Sequence, residues 1–338
     1  MVCVIINRYK SIQMNSYKYI ILLFLGALLF SCKSDPKTNT KSTIKKDPVK
    51  VPAFDADRAY GYIEKQLSFG TRVPGTPTHE ACKNWIVQEM KALGADVIEQ
   101  DFVAKIHTGE EWASTNIIAQ YNTHIKDRVI LSAHWDTRYM ADQDEDPNMV
   151  DKPIMGADDG GSGVGVLMAI AKVIQDNPID LGIDIIFWDA EDQGGEGRET
   201  WCLGSQYWSR NKHKKNYRAK YGINLDMVGA KNPVFGQDVW SQKYANDTLQ
   251  KVWSLAQRMG YSDMFVTKNT GDLTDDHLFV NTIAKIPMID IINQPDGVRF
   301  QKCWHKSCDD LSIIDKRSLR VVGQVVTATI YKESDGTL

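Results

Sequence analysis

The chain is expected to fold as an α/β layer structure, a mostly parallel mixed central sheet with helices on both faces. Three observations predict it. Runs such as 128–134, 181–189 and 286–292 are apolar almost throughout, as strands buried on both faces are. Helix-like stretches alternate with them, the pattern of a parallel sheet covered on both sides. Two of the runs end directly in chemistry-bearing residues, His134 and Glu191-Asp192, and the carboxyl ends of strands are where open α/β sheets bind ligands.

The chain begins outside that pattern. Lys18 precedes an apolar run, 19–30, that closes on Ser31-Cys32. At about 12 residues it is shorter than the roughly 20 needed to span a bilayer, so residues 1–32 read as a signal peptide rather than an anchor helix. A small residue followed by Cys after such a core resembles the bacterial lipobox, although Phe30 is bulkier than the usual pattern. The resemblance implies cleavage before Cys32, acylation of its thiol, and an exported protein anchored by lipid in the bacterial envelope. Met14 is better placed before Lys18 than Met1 and is an alternative start. Residues 33–50 are Lys, Thr, Ser, Asp and Pro with almost nothing apolar, a solvated tether. Residues 51–338, about 290, are normal for one large α/β domain.

Within that domain, 55–69 and 78–93 are expected as helices, the second opened by Pro77-Thr78 and closed by Gly94. Strands are expected at 95–102, 116–121 and 128–134. A Gly-rich turn then opens an apolar helix over 163–175. A strand at 181–189, a helix start at 204–209 and a strand at 221–227 follow. An amphipathic helix over 246–259, a buried strand at 286–292 and a closing helix over 318–332 complete the chain. A net charge of −3 with no concentrated Lys/Arg face gives no reason to expect nucleic acid, and the basic run 212–215 reads as a solvated helix end.

Four islands carry the chemistry: His134-Trp135-Asp136, Asp158-Asp159-Gly160-Gly161-Ser162-Gly163, Glu191-Asp192 and Trp304-His305. Singly, each has a plain reading: a hydrogen-bonded pair, a helix N-cap with glycines, a solvated turn. Together they supply the imidazole and carboxylate donors that zinc takes, with a position left open when the ion is catalytic. Gly160, Gly161 and Gly163 let the backbone after Asp159 bend tightly and the next helix approach the sheet. Glu191 and Asp192 are consecutive, so their side chains diverge; one can ligate while the other stands beside a substrate. Of six cysteines, Cys82, Cys202, Cys303 and Cys308 lie in the domain; three connectivities are open to them, as is the free-thiol state, and Cys303/Cys308 flank Trp304-His305 closely enough to staple that loop. None has a sequence neighbour that would make it a nucleophile.

The order His134-x-Asp136, Gly156-Ala157-Asp158-Asp159-Gly160-Gly161-Ser162-Gly163, Asp189-Ala190-Glu191-Asp192, Asn224-Leu225-Asp226-Met227-Val228-Gly229 and a late His305 resembles the zinc aminopeptidase-type exopeptidases, the M28 family. Asp275-Asp276-His277, Trp304-His305 and Trp201-Cys202-Leu203-Gly204-Ser205-Gln206-Tyr207-Trp208 make the chain most similar, within that family, to bacterial glutaminyl cyclases of the animal-like type. The likeness spans nearly all of 55–335. It implies the zinc-exopeptidase α/β sandwich (phosphorylase/hydrolase-like) and one zinc held by Asp159, Asp192 and His305. It implies Glu191 as general acid/base, Asp226 on the substrate amine and Asp275 hydrogen-bonded to the base or the leaving group. Trp201 and Trp304 would wall the pocket. The implied substrates are peptides or proteins with an N-terminal Gln, and the implied state is a monomer. Two departures stand out: Asp192 where animal enzymes carry Glu, and Asp290 where they carry His. A rival reading is a two-zinc aminopeptidase that also uses His134 and Asp226; a third is an inactive binding lipoprotein on the same scaffold.

Overall fold

The fold is that of a computed structural model, and the residues described are 49–297 and 299–338. The expected signal peptide, Cys32 and nearly all of the tether lie outside them. Two helices come first, α1 (Ala56–Leu67) and α2 (Pro77–Ala92), with side-chain caps from Asp55 and Thr76. Strands β1 (Asp96–Lys105), β2 (Glu111–Tyr121) and β3 (Arg128–His134) follow, then α3 (Gly161–Asp176) and β4 (Gly182–Trp188). Next are α4 (Leu203–Arg210), β5 (Tyr221–Asp226), β6 (Phe235–Gln237), α5 (Val239–Arg258) and β7 (Phe265–Asn269). The short α6 (Asp276–Phe279), β8 (Met288–Ile292) and the long α7 (Lys316–Asp335) close the chain.

Six strands form one sheet in the order β1-β2-β4-β3-β5-β8. The β1/β2 and β2/β4 pairs are antiparallel, whereas β3/β4, β3/β5 and β5/β8 are parallel. The sheet is therefore mixed and mostly parallel. Its apolar side chains alternate between two cores, because successive residues of a strand face opposite sides. Val129, Leu131, Ile183 and Ile185 join the core built with α1, α3, α5 and α7, while Ile130, Ile186 and Met288 join a second core with Trp208 of α4. Both faces are covered, which is why these strands read as unbroken apolar runs.

From β3 the chain crosses to β4 on one side, and from β4 it returns to β5 on the other. The strand order thus reverses at β3, and the crevice at such a switch point is where α/β sheets bind ligands. The ends of β3, β4 and β5 carry His134, Glu191 and Asp226 to that crevice.

Several elements differ from expectation. Helix α5 is broken at Ala245 (φ −136°, ψ 30°): the expected helix from 246 is its second segment, and a first segment from Val239, capped by Asp238 accepting from Trp240 N and Ser241 N at 2.8 and 2.9 Å, precedes it. The second strand extends back to Glu111 because 111–115 pair with the end of β1. The run expected as a strand from 286 begins at Met288, after Pro287, which has no N–H to donate. The two-stranded parallel ribbon of β6 and β7 has no counterpart in the sequence reading; three and five residues are too few to show a period.

Candidate metal centre and active site

Asp136 ties two strand ends together. Its carboxylate accepts from the backbone N–H of Glu191 and Asp192 at 3.1 and 3.2 Å and from Gln193 Nε2 at 2.8 Å. A buried carboxylate fully used this way fixes where Glu191 and Asp192 leave the main chain. Asp309 does the same for the turn before α3, accepting from Asp158 N and Asp159 N at 2.8 and 3.1 Å. Gly160 lies so close to the end of β3 that an added Cβ would stand 2.3 Å from the His134 carbonyl oxygen, so only glycine lets Asp159 reach His134.

Two donor clusters share Asp159. Asp159, Asp192 and His305 form one, and His134, Asp159 and Asp226 the other; in each, the donor atoms lie within 4.8 Å of one another. His305 Nε2 is 2.9 Å from Asp192 Oδ1, while its Nδ1 pairs with Asp142 Oδ1 at 2.9 Å. Asp142 is in turn held by Arg138 Nε and Nη2, both at 2.8 Å. A carboxylate on one ring nitrogen that turns the other toward the donors is how metal-binding histidines are oriented. In the second cluster His134 Nε2 faces Asp159 Oδ1 at 2.9 Å and Asp226 Oδ1 at 3.3 Å. Yet both His134 ring nitrogens, Asp226 Oδ1, Asp159 Oδ2 and Asp192 Oδ2 are buried without a hydrogen-bond partner among the described residues. Buried polar atoms are nearly always satisfied. Orphaned donors converging at ligand spacing fit a cation, and the imidazole and carboxylate set fits zinc.

Electrostatics agree with the geometry. Burial holds Glu191 well above the usual carboxylate range, opposed by His134 and reinforced by Asp192, Asp276 and Asp275. Burial disfavours a charged His305, but Asp192 and Asp142 outweigh it and bring its pKa to about 9. Burial likewise pushes Asp226 well up.

A cavity of about 300 Å³ opens over these groups. Asp159, Asp192, His305, Glu191 and Asp226 form its polar side, and Trp201 and Trp304 its flat walls. The Trp304 ring stacks on His305 with centroids 3.8 Å apart, and Trp201 stacks on it at 5.9 Å. The walls therefore also fix the imidazole. Asp275 does not line the cavity; it sits behind Glu191, with its Oδ1 accepting from Asn224 Nδ2 at 3.0 Å. His134 is likewise behind the rim, against Asp159 and Asp226. Asp290 lies beside Asp275, close enough to Asn224 Nδ2 (3.4 Å) for the amide to reach both carboxylates.

Cys303 and Cys308 are disulfide-bonded, closing the loop that carries Trp304 and His305, while Cys82 and Cys202 are buried free thiols. His305 itself has φ +56°, and Ala190, Cys202 and Met227 are also left-handed, so non-glycine residues in this costly region cluster at the site. Sequence reasoning missed Asp142, Asp309 and Phe300, which also lines the cavity, and the proximity of Cys202 to Glu191. For Asp142 no local signal existed, because its partner is 163 positions away.

The model of the family described as peptidase family M28 matches residues 116–330. The structure of Bacteroides thetaiotaomicron glutaminyl cyclase is 45% identical, with a TM-score of 0.81 over 83% of this chain and 99% of that one. A structure described as a leucine aminopeptidase precursor from the same organism is also 45% identical, with a TM-score of 0.81 over 84% of this chain and 99% of its own. Glutaminyl-peptide cyclotransferase of Bos taurus is 24% identical over 298 residues, 77% of this chain and 78% of that protein. The family model spans well over half of the chain and every residue of both donor clusters, His134, Asp159, Asp192, Asp226 and His305, and the chain belongs to peptidase family M28.

Proposed function

We propose that the protein is a zinc-dependent glutaminyl-peptide cyclotransferase, converting the N-terminal glutamine of peptides and proteins to pyroglutamate with release of ammonia. The observation that carries this reading is that Glu191 faces the same small, tryptophan-walled cavity as the Asp159–Asp192–His305 donors. Likeness to glutaminyl cyclases over most of the chain supports it.

Cyclisation needs a neutral α-amine, a polarised γ-amide carbonyl and a proton for the departing nitrogen. One zinc, held by Asp159, Asp192 and His305, would supply a Lewis acid for that carbonyl. Glu191 takes a proton from the α-amine as its nitrogen bonds to the side-chain carbonyl carbon, Cδ, and returns that proton to the leaving ammonia as the old Cδ–Nε2 bond breaks. A carboxyl raised by burial has the proton affinity for both halves of this exchange. Asp226 accepts from the amine, and Asp275, whose carboxylate lies behind Glu191 and raises its proton affinity, is the group that would hydrogen-bond the base or the leaving group. Trp201 and Trp304 hold the glutamine side chain folded for ring closure and exclude water. Mass spectrometry of a Gln-initiated peptide tests the reading: loss of ammonia from an intact chain is expected, and release of free N-terminal residues without pyroglutamyl product would overturn it.

The His134–Asp159–Asp226 cluster favours a second reading, a two-zinc aminopeptidase in which Glu191 activates water. Two zincs per chain together with arylamine release from Leu or Ala substrates would establish it. We further propose, from the sequence, that the protein is an exported monomer, lipid-anchored through Cys32 in the bacterial envelope, with residues 33–50 as tether to a catalytic domain over 51–338.

A further inference from the structure

The segment opening α4 folds back against Glu191. Cys202 has φ +55°; its N–H donates to the Glu191 carbonyl oxygen at 2.8 Å, and the N–H of Leu203 donates to Ala190 O at 3.0 Å. This main-chain clasp carries the buried Cys202 Sγ to 3.1 Å from Glu191 Oε1, within reach of an S–H donor. The other groups facing Glu191 are the carboxylates of Asp192, Asp275 and Asp276, and His134, whose Nδ1 is 3.9 Å from Oε2.

We propose that the Cys202 thiol is a positioning donor for the general acid/base: its S–H holds Glu191 Oε1, fixes the rotamer of the carboxylate and leaves Oε2 to exchange the proton. The inference rests on Glu191 acting as proposed above. A neutral, weak donor suits the task. An ammonium or guanidinium at the same place would orient the carboxylate equally well, but would hold it as an anion and strip its proton affinity. Burial, with Glu191 and its neighbouring carboxylates adding to it, keeps the thiol protonated, so it remains a donor while Glu191 gains and loses its proton.

Zinc-loaded Cys202→Ala and Cys202→Ser test the role in full-length protein. Removing one hydrogen bond to a charged acceptor should lower kcat on a Gln peptide about 10-fold in Cys202→Ala. KM and zinc content should stay put. Cys202→Ser, which keeps a donor, should recover most of kcat. Undiminished kcat in Cys202→Ala, or equal losses in both variants, would overturn the proposal. A second readout does not depend on substrate. The infrared S–H stretch of Cys202, isolated as the difference between wild type and Cys202→Ser, should lie below that of a free thiol and rise in Glu191→Ala. An unmoved band would overturn the positioning role whatever the reaction, whereas wild-type protein that makes no pyroglutamate would count against the cyclase reading alone.

Discussion

Glu191→Gln keeps the size of the side chain while removing its proton acceptor. Turnover of a Gln peptide should fall roughly 100-fold or more, with zinc content by metal analysis unchanged. Loss of the metal as well would show that Glu191, not Asp192, is the ligand. His305 permits a different measurement. With its pKa at about 9 in the metal-free site, the imidazole carries a proton at neutral pH that zinc must displace. Calorimetric titration near pH 7.5, repeated in buffers of different ionisation enthalpy, should show roughly one proton or more released per zinc. The affinity should strengthen as pH rises toward 9. At this scale the sequence was informative where residue type alone constrains chemistry: His134, Asp159, Glu191 and Asp192 are donors placed beside strand ends or a glycine turn, and His305 stands next to a tryptophan between two cysteines. It was silent on Asp142 and Asp309, ordinary aspartates whose importance arises from partners 163 and 150 positions away.

The loop between the two half-cystines is the element on which the metal centre most depends. It holds His305 in a left-handed conformation and sets Trp304 flat against the imidazole. Replacing Cys303 and Cys308 by Ser together should weaken zinc binding about 10- to 100-fold, the range seen when the supports of a ligand are lost. Competition with a chromogenic chelator would measure it, and unchanged affinity would mean that Trp201, Trp304 and Asp142 suffice. Elements themselves were legible when long and periodic. Strand β3 was read to the residue, and α1, α3 and α7 to within a few residues, because each has a continuous apolar signal. The first turns of α5 were not, since Val239 and Tyr244 stay exposed and give no amphipathic stripe there.

For the molecule as a whole, substrate choice separates the readings most cleanly. A cyclase needs the γ-amide of the substrate's own side chain, so Gln peptides should react while Leu and Ala peptides remain intact; arylamine release from the latter would favour peptidase chemistry. Membrane fractionation of Cys32→Ser compared with wild type checks the anchor, and a variant still in the membrane fraction would remove thiol lipidation from the account. The fold class was legible because buried parallel strands announce themselves; the two clusters sharing Asp159 were reached only through the family resemblance, because proximity across β3, β4 and β5 exists only once the strands are ordered. That crowding has a consequence for folding. Glu191, Asp226, Asp276 and Asp290 are all held well above the ordinary carboxylate range, chiefly by burial. Without metal, the folded chain therefore binds more protons than the unfolded one above about pH 4, and its stability must decline as pH rises toward those elevated values. Chelator-stripped protein should melt at a higher temperature at pH 5 than at pH 8. The bound ion would then act as the counter-charge that makes a self-repelling interior tolerable, so that acquiring it and completing the native state become a single event.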